Sequence, residues 1–272
     1  MNKKIVIISG AIAAVILVFI VVKFAAGNRH SQGNNRQSLR PVSAESAKAR
    51  DLESQGNIAG ARGEYQRLIG EIPNSREVLA WQRKVEDLNL KLLFSPAITP
   101  KSVEYEIKPG DSLDKIAKDY KTTVELIKKS NGLVSDNIFP GKKIKVWTVP
   151  FNIFVDKSQN ILLLKSNDEI FKSYVVATGL NNCTPVGTFK IIEKIMNPPW
   201  YKPGVVIPAG SPENILGTRW MGLTKEGYGI HGTTKPESLG TQATAGCVRM
   251  ANTEVEELYS IVAVGTEVTI VD

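Results

Sequence analysis

The sequence predicts a multidomain chain: an N-terminal transmembrane helix, a short α-helical segment, a small βααβ module and a mainly-β C-terminal domain. Three observations carry this. An unbroken apolar run fills positions 5–22, the apolar spacing switches between alternating and helical within 104–147, and the text from Pro150 onward is strand-like. With 272 residues, 42% of them hydrophobic, the chain suits two or three modest cores.

The apolar run is long enough, at about 1.5 Å per residue, to cross a bilayer core. Lys3, Lys4 and Lys23 bracket it. A cleavable signal is the competing reading, with small residues at Ala25, Ala26 and Gly27, but the length of the run favours an uncleaved anchor over 1–24. Basic residues on both flanks leave orientation open. Positions 25–42, including NRHSQGNNRQSLR, are too polar to bury a core and form a flexible tether.

Helical spacing fills 43–94, interrupted by the turn residues Gln55-Gly56-Asn57 and Pro73-Asn74. Ser75 is placed to cap a last helix whose apolar stripe is Val78, Trp81, Val85, Leu88 and Leu92. The stretch resembles a single tetratricopeptide-type hairpin, and is expected to act as a spacer or self-association element. Two prolines mark 95–103 as a linker.

Within 104–148, Tyr105 and Ile107 alternate as a strand. Leu113, Ile116, Ala117 and Tyr120 follow helical spacing, Val124, Leu126 and Ile127 open a second helix, and Ile144 and Val146 alternate again. Asp111 or Ser112 is placed to cap the first helix. Gly110-Asp111-Ser112-Leu113, Ile116-Ala117, Asn131 and Pro140-Gly141-Lys142-Lys143-Ile144 together resemble a LysM domain. That resemblance implies binding of N-acetylglucosamine glycans between Gly110, Asp111, Ser112, Leu113 and the loop of Ile138, Phe139 and Pro140. Gly110 and Asp111 could equally serve only the turn.

The remainder, 149–272, reads as strands with one short helix, opened by a capping box at Thr253 and Glu256 and running to about Val262. Its chemistry gathers in Gly229-Ile230-His231-Gly232-Thr233 and Thr244-Ala245-Gly246-Cys247-Val248-Arg249. A free thiol is mostly protonated at neutral pH, so a nucleophilic Cys247 needs a base, and His231 is the one imidazole in the folded bulk. Gly246 lets the backbone approach a substrate, and the amides of Gly246 and Cys247 could face an oxyanion. Arg249 could hold a substrate carboxylate by a forked pair of hydrogen bonds.

These residues resemble the L,D-transpeptidase (YkuD) family, in which a His-Gly is followed by Gly-Cys-x-Arg, and Asn197-Pro198-Pro199-Trp200 reads like one of its substrate-facing loops. Ala245 stands where the family often has histidine. The resemblance implies attack by Cys247 on a peptidoglycan stem tetrapeptide, His231 as acid and base, and the Gly232 carbonyl orienting the imidazole. It also implies substrate contacts from Arg249, Thr244 and Trp200, and a 3-3 crosslink once an amine resolves the thioester. An L,D-carboxypeptidase would use the same acyl-enzyme, and a non-catalytic wall anchor is the alternative from another class. Cys183 is assigned to packing beside Thr184-Pro185.

A net charge of +7 and pI near 9.3 suit an anionic partner without choosing one. Two cysteines exclude a disulfide scaffold and a CxxC zinc cluster, and two histidines, His30 far from His231, exclude a histidine metal centre. No cofactor or metal is expected. Peptidoglycan is the expected partner rather than nucleic acid, with the catalytic domain on the wall side of a single-pass bacterial cell membrane.

Overall fold

The computed structural model describes residues 44–272. The expected membrane anchor (1–24) and tether (25–42) lie outside the described residues. Among the described residues no helix is long and apolar enough to cross a membrane.

Three helices come first: α1 (Ala47–Ser54), α2 (Ile58–Glu71) and α3 (Val78–Leu93). Asn57 caps α2 by accepting from Gly60 N at 2.9 Å. Ser75 does not cap α3: its hydroxyl accepts from Glu77 N at 3.2 Å in the turn before, and the helix starts at Val78. Of the predicted stripe, Val78, Trp81, Val85 and Leu88 are buried and Leu92 is half-buried, while Glu86, Asn89 and Leu93 are buried as well. The second set faces the C-terminal domain.

The βααβ module follows as predicted, with β1 (Ser102–Glu106), α4 (Leu113–Asp119), α5 (Val124–Asn131) and β2 (Lys143–Trp147). β1 and β2 pair antiparallel over a core of Ile107, Leu113, Ile116, Ala117, Ile127, Ile144 and Val146. Ser112, not Asp111, caps α4 by accepting from Lys115 N. Asn131 ties α5 to β2, accepting from Lys145 N at 2.7 Å and donating to Lys145 O at 2.8 Å.

The C-terminal domain contains β3 (Phe151–Asp156), β4 (Ile161–Ser166), β5 (Glu169–Val175), β6 (Thr178–Gly179), β7 (Gly187–Met196), β8 (Trp200–Lys202), β9 (Val205–Ile207), β10 (Arg219–Leu223), β11 (Gly229–His231), β12 (Gln242–Thr244), β13 (Val248–Arg249), α6 (Asn252–Ile261) and β14 (Glu267–Val271). Eight strands form one sheet in the order β13-β11-β10-β7-β14-β3-β4-β5, parallel at β13/β11 and β14/β3. The pairs β12/β6 and β8/β9 stand outside it. α6 opens one residue before the expected capping box, with Ala251 at the cap position and no side-chain cap bond.

The spacer reading of 43–94 gives way to a docked segment. α3 lies along β5, an edge strand that would otherwise present unpaired backbone. Asn89 Nδ2 donates to Phe171 O at 2.9 Å, Ser173 Oγ donates to Glu86 at 2.9 Å, and Lys172 pairs with Asp87 at 3.1 Å. The linker region is held too: Lys145 Nζ donates to the carbonyls of Leu92, Leu93 and Ser95 at the end of α3. One hydrophobic core takes Leu93 from α3, Leu126 and Trp147 from the module, and Phe151, Ile153, Leu164, Val255 and Leu258 from the C-terminal domain. Residues 45–272 are a single compact unit.

Candidate active site

His231 ends β11, with Trp220 of β10 opposite on one side and Arg249 of β13 on the other. β13 begins one residue after Cys247, so strand pairing brings the His231 and Cys247 segments side by side. His231 is only 2% exposed, and its ring stacks on Trp220 with centroids 6.0 Å apart. Its Nδ1 lies 2.7 Å from the Gly232 carbonyl oxygen. A carbonyl only accepts, so Nδ1 carries the proton and Nε2 keeps its lone pair. Burial, reinforced by Arg249 and opposed by the bond to Gly232, pushes the imidazole down to about 4.

Burial also pushes the Cys247 thiol up, against the pull of the Gly229 backbone and of Arg249. The resting pair is therefore neutral thiol and neutral imidazole. Cys247 Sγ is 3.7 Å from Gly227 O, and the side chain is partly exposed.

Gly246 has φ +128°, and a Cβ there would meet Tyr228 Cε1 at 2.6 Å, so the residue is glycine on two counts. Its amide is not open to an oxyanion as expected, because it donates to Thr244 Oγ1 at 3.1 Å. The Thr244 hydroxyl in turn donates to Cys247 O at 2.7 Å. Thr244, buried and with its hydroxyl engaged on both sides, braces the loop that carries Cys247 from within.

Arg249 is 6% exposed, with one guanidinium nitrogen donating to Ser238 Oγ at 2.9 Å. Its Nε is buried and has no hydrogen-bond partner among the described residues. Burial lowers it, while Cys247 and Glu237 pull the other way. Trp200 sits on the β8/β9 hairpin, outside the sheet that carries His231, under Lys202 Nζ at 3.9 Å from its ring. Cys183, expected in packing, is exposed, with Sγ 4.0 Å from Thr244 O. Among the described residues no group of three or more His, Cys, Asp or Glu is placed to hold a metal ion.

Sequence reasoning passed over Asn252. Its Oδ1 accepts from Thr218 N at 3.2 Å and Thr233 N at 3.0 Å, and its Nδ2 donates to Thr233 O at 2.8 Å. Ser238 and Tyr228 were also passed over. All three sit in segments whose polarity reads as ordinary loop or helix start, and only long-range folding joins them to the site.

Residues 150–270 match the family described as the L,D-transpeptidase catalytic domain, YkuD, and residues 105–147 match the LysM domain. The Bacillus subtilis (strain 168) protein YkuD, an L,D-transpeptidase by name, is 35% identical over 173 residues, covering 61% of this chain and 97% of that protein. The chain belongs to the YkuD family of L,D-transpeptidases. The namesake of Bacillus licheniformis is 36% identical over 174 residues, again 61% of this chain and 97% of the relative. A solved L,D-transpeptidase from Mycobacterium smegmatis aligns with 18% identity and a TM-score of 0.40, covering 48% of this chain and 64% of that one.

In the LysM module the strand end that leads into the Gly110 turn is tied to the residues just after Pro140, since Ile107 N donates to Lys142 O and Gly141 N donates to Ile107 O. Asp111 is committed to the turn: its Oδ2 accepts from Lys108 N at 2.9 Å and from the Tyr105 hydroxyl at 2.7 Å. Those bonds hold its carboxyl down to about 2, the Lys108 amide most of all. Gly110 takes φ +83° in the same turn, and Leu113 is core. Ile138 is half-buried against that core, Pro140 is exposed and Phe139 is 63% exposed.

Proposed function

We propose that this YkuD-family enzyme crosslinks peptidoglycan stem peptides through a Cys247 thioester, on the wall side of a membrane to which residues 1–24 anchor it. One observation carries the reading. With Nδ1 bound to the Gly232 carbonyl at 2.7 Å, His231 is left with Nε2 alone as a base, and the pairing of β11 with β13 sets its segment beside the residues that follow Cys247.

Because both groups rest neutral, the thiol needs a base at the moment of attack. Cys247 gives its proton to His231 Nε2 as sulfur bonds the carbonyl carbon after the third stem residue. The carbonyl electron pair moves to oxygen, and the Cys247 amide stabilises the charge. Collapse breaks the C–N bond, His231 returns the proton to the departing D-alanine nitrogen, and a thioester remains. An amine of a neighbouring stem then attacks the thioester and loses its proton to His231. The C–S bond breaks, and the thiolate takes the proton back. Arg249, with its unpartnered Nε, supplies a forked donor for a stem carboxylate. The LysM module, through the exposed Phe139 and Pro140 beside the Gly110 turn, holds the N-acetylglucosamine strand.

The test is incubation of the full-length chain with tetrapeptide muropeptides and mass analysis. Dimers lighter by one D-alanine and one Cys247-linked acyl adduct are the expected products. Tripeptide monomers without dimers would make the enzyme an L,D-carboxypeptidase, and turnover persisting in Cys247→Ala would overturn the mechanism.

A further inference from the structure

The peptide group joining Gly232 to Thr233 is held at both ends. Its carbonyl accepts from His231 Nδ1 at 2.7 Å, and its N–H donates to Asn252 Oδ1 at 3.0 Å. A trans peptide is planar, with C=O and N–H pointing in opposite directions, so a hydrogen bond at one end polarises the other. Asn252 then closes a ring on the same residue by donating to Thr233 O at 2.8 Å, and anchors the neighbouring segment through Thr218 N at 3.2 Å.

The surroundings are built around this amide. A Cβ at either Gly217 or Gly232 would lie 2.2 Å from Asn252 Oδ1, so both positions must lack a side chain for Asn252 to reach the loop. Asn252 is the first residue of α6, and its side chain turns to the loop instead of capping its own helix. It uses both functions of an amide, two bonds accepted and one donated, which neither a carboxylate nor a hydrophobic residue of that size reproduces.

We infer that Asn252 is a positioning residue for the reaction, fixing and polarising the Gly232–Thr233 peptide so that its carbonyl holds His231 in the Nδ1–H tautomer. The third member of the triad is thus a peptide group with a side-chain amide behind it. The inference rests on the reading of His231 as the base, but its test does not need substrate.

Nitrogen NMR of the imidazoles in the full-length chain reads the tautomer directly, and with two histidines in the sequence a His30→Ala background leaves His231 alone. Wild type is expected as the Nδ1–H tautomer. Asn252→Ala should give a tautomer mixture and a titration midpoint below that of wild type, because the Gly232 bond that favours the charged imidazole is weakened. Asn252→Asp keeps the acceptor and adds negative charge, so it should keep the tautomer while raising the midpoint. A folded Asn252→Ala with the wild-type tautomer overturns the inference. If that variant does not fold, an Asn252→Asp midpoint equal to wild type overturns it. With muropeptides, Asn252→Ala should lower kcat roughly 10- to 100-fold with KM within about twofold. An inactive wild type would sink the transpeptidase reading and leave the NMR result to decide this one.

Discussion

Lys145 Nζ, on the last strand of the LysM module, lies 2.6 Å from the carbonyl oxygen of Leu92 in the last turn of α3. With two further carbonyls within reach, the ammonium replaces donors that a helix C-terminus lacks, while its stem crosses between segments that the sequence separates by two prolines. Lys145→Met keeps the stem and removes the donors. It should destabilise the unit by about 1–3 kcal/mol, lowering Tm by several degrees in calorimetry. Hydrogen exchange should show α3 opening first, because its terminal carbonyls lose their partner.

Acid stability should depend on His231. Its folded value of about 4 lies below the ordinary 6.5, so between those pH values the unfolded chain takes up a proton that the folded chain refuses. Stability from this source is intact above about pH 6.5 and declines as pH falls toward 4, by about 3 kcal/mol in all. Denaturant titrations of wild type and His231→Asn should diverge in that window alone. Parallel curves would refute it.

Gly246→Ala forces a side chain into φ +128° and against Tyr228. The expected cost is about 1–3 kcal/mol of stability, with slowed alkylation of Cys247 by iodoacetamide. Truncating Tyr228 to Ala in the same chain relieves the contact but not the backbone, so only part of the loss should return.

Arg249→Lys preserves charge and removes the fork. With tetrapeptide substrate, kcat/KM should fall about 10- to 100-fold, while alkylation by iodoacetamide, which carries no carboxylate, changes little. Equal loss with both reagents would mean that Arg249 supports the loop through Ser238 instead of holding substrate.

Phe139→Ala should weaken retention on purified peptidoglycan without moving Tm, since the ring is exposed and contributes little to the core. A fall in Tm with unchanged retention would move the glycan contact elsewhere.

The candidate site was legible because its motifs are local: His231-Gly232 and Gly246-Cys247-x-Arg249 each sit within a few residues, and the βααβ periods follow from spacing alone. What stayed hidden was long-range. Glu86 and Asn89 lie outside the apolar stripe of α3, yet β5 supplies Ser173 Oγ and the Phe171 carbonyl, so both are buried with partners. The Gly246 amide looks free for an oxyanion until Thr244 folds back onto it. Thr253 looks like a cap until Asn252, one residue earlier, is drawn into the loop after His231 and sets where α6 begins.

The core shared by Leu93, Leu126 and Trp147 makes a caliper of the molecule. Under the proposed function, a sugar gripped beside Phe139 and a thiol at Cys247 would be two jaws on one frame, and the enzyme would not sweep along a strand while holding on. Each grip would offer Cys247 the stems at one offset from the held sugar, and reaching the next would require letting go. Spacing between crosslinks would then be written in the repeat of the glycan and the span of the frame.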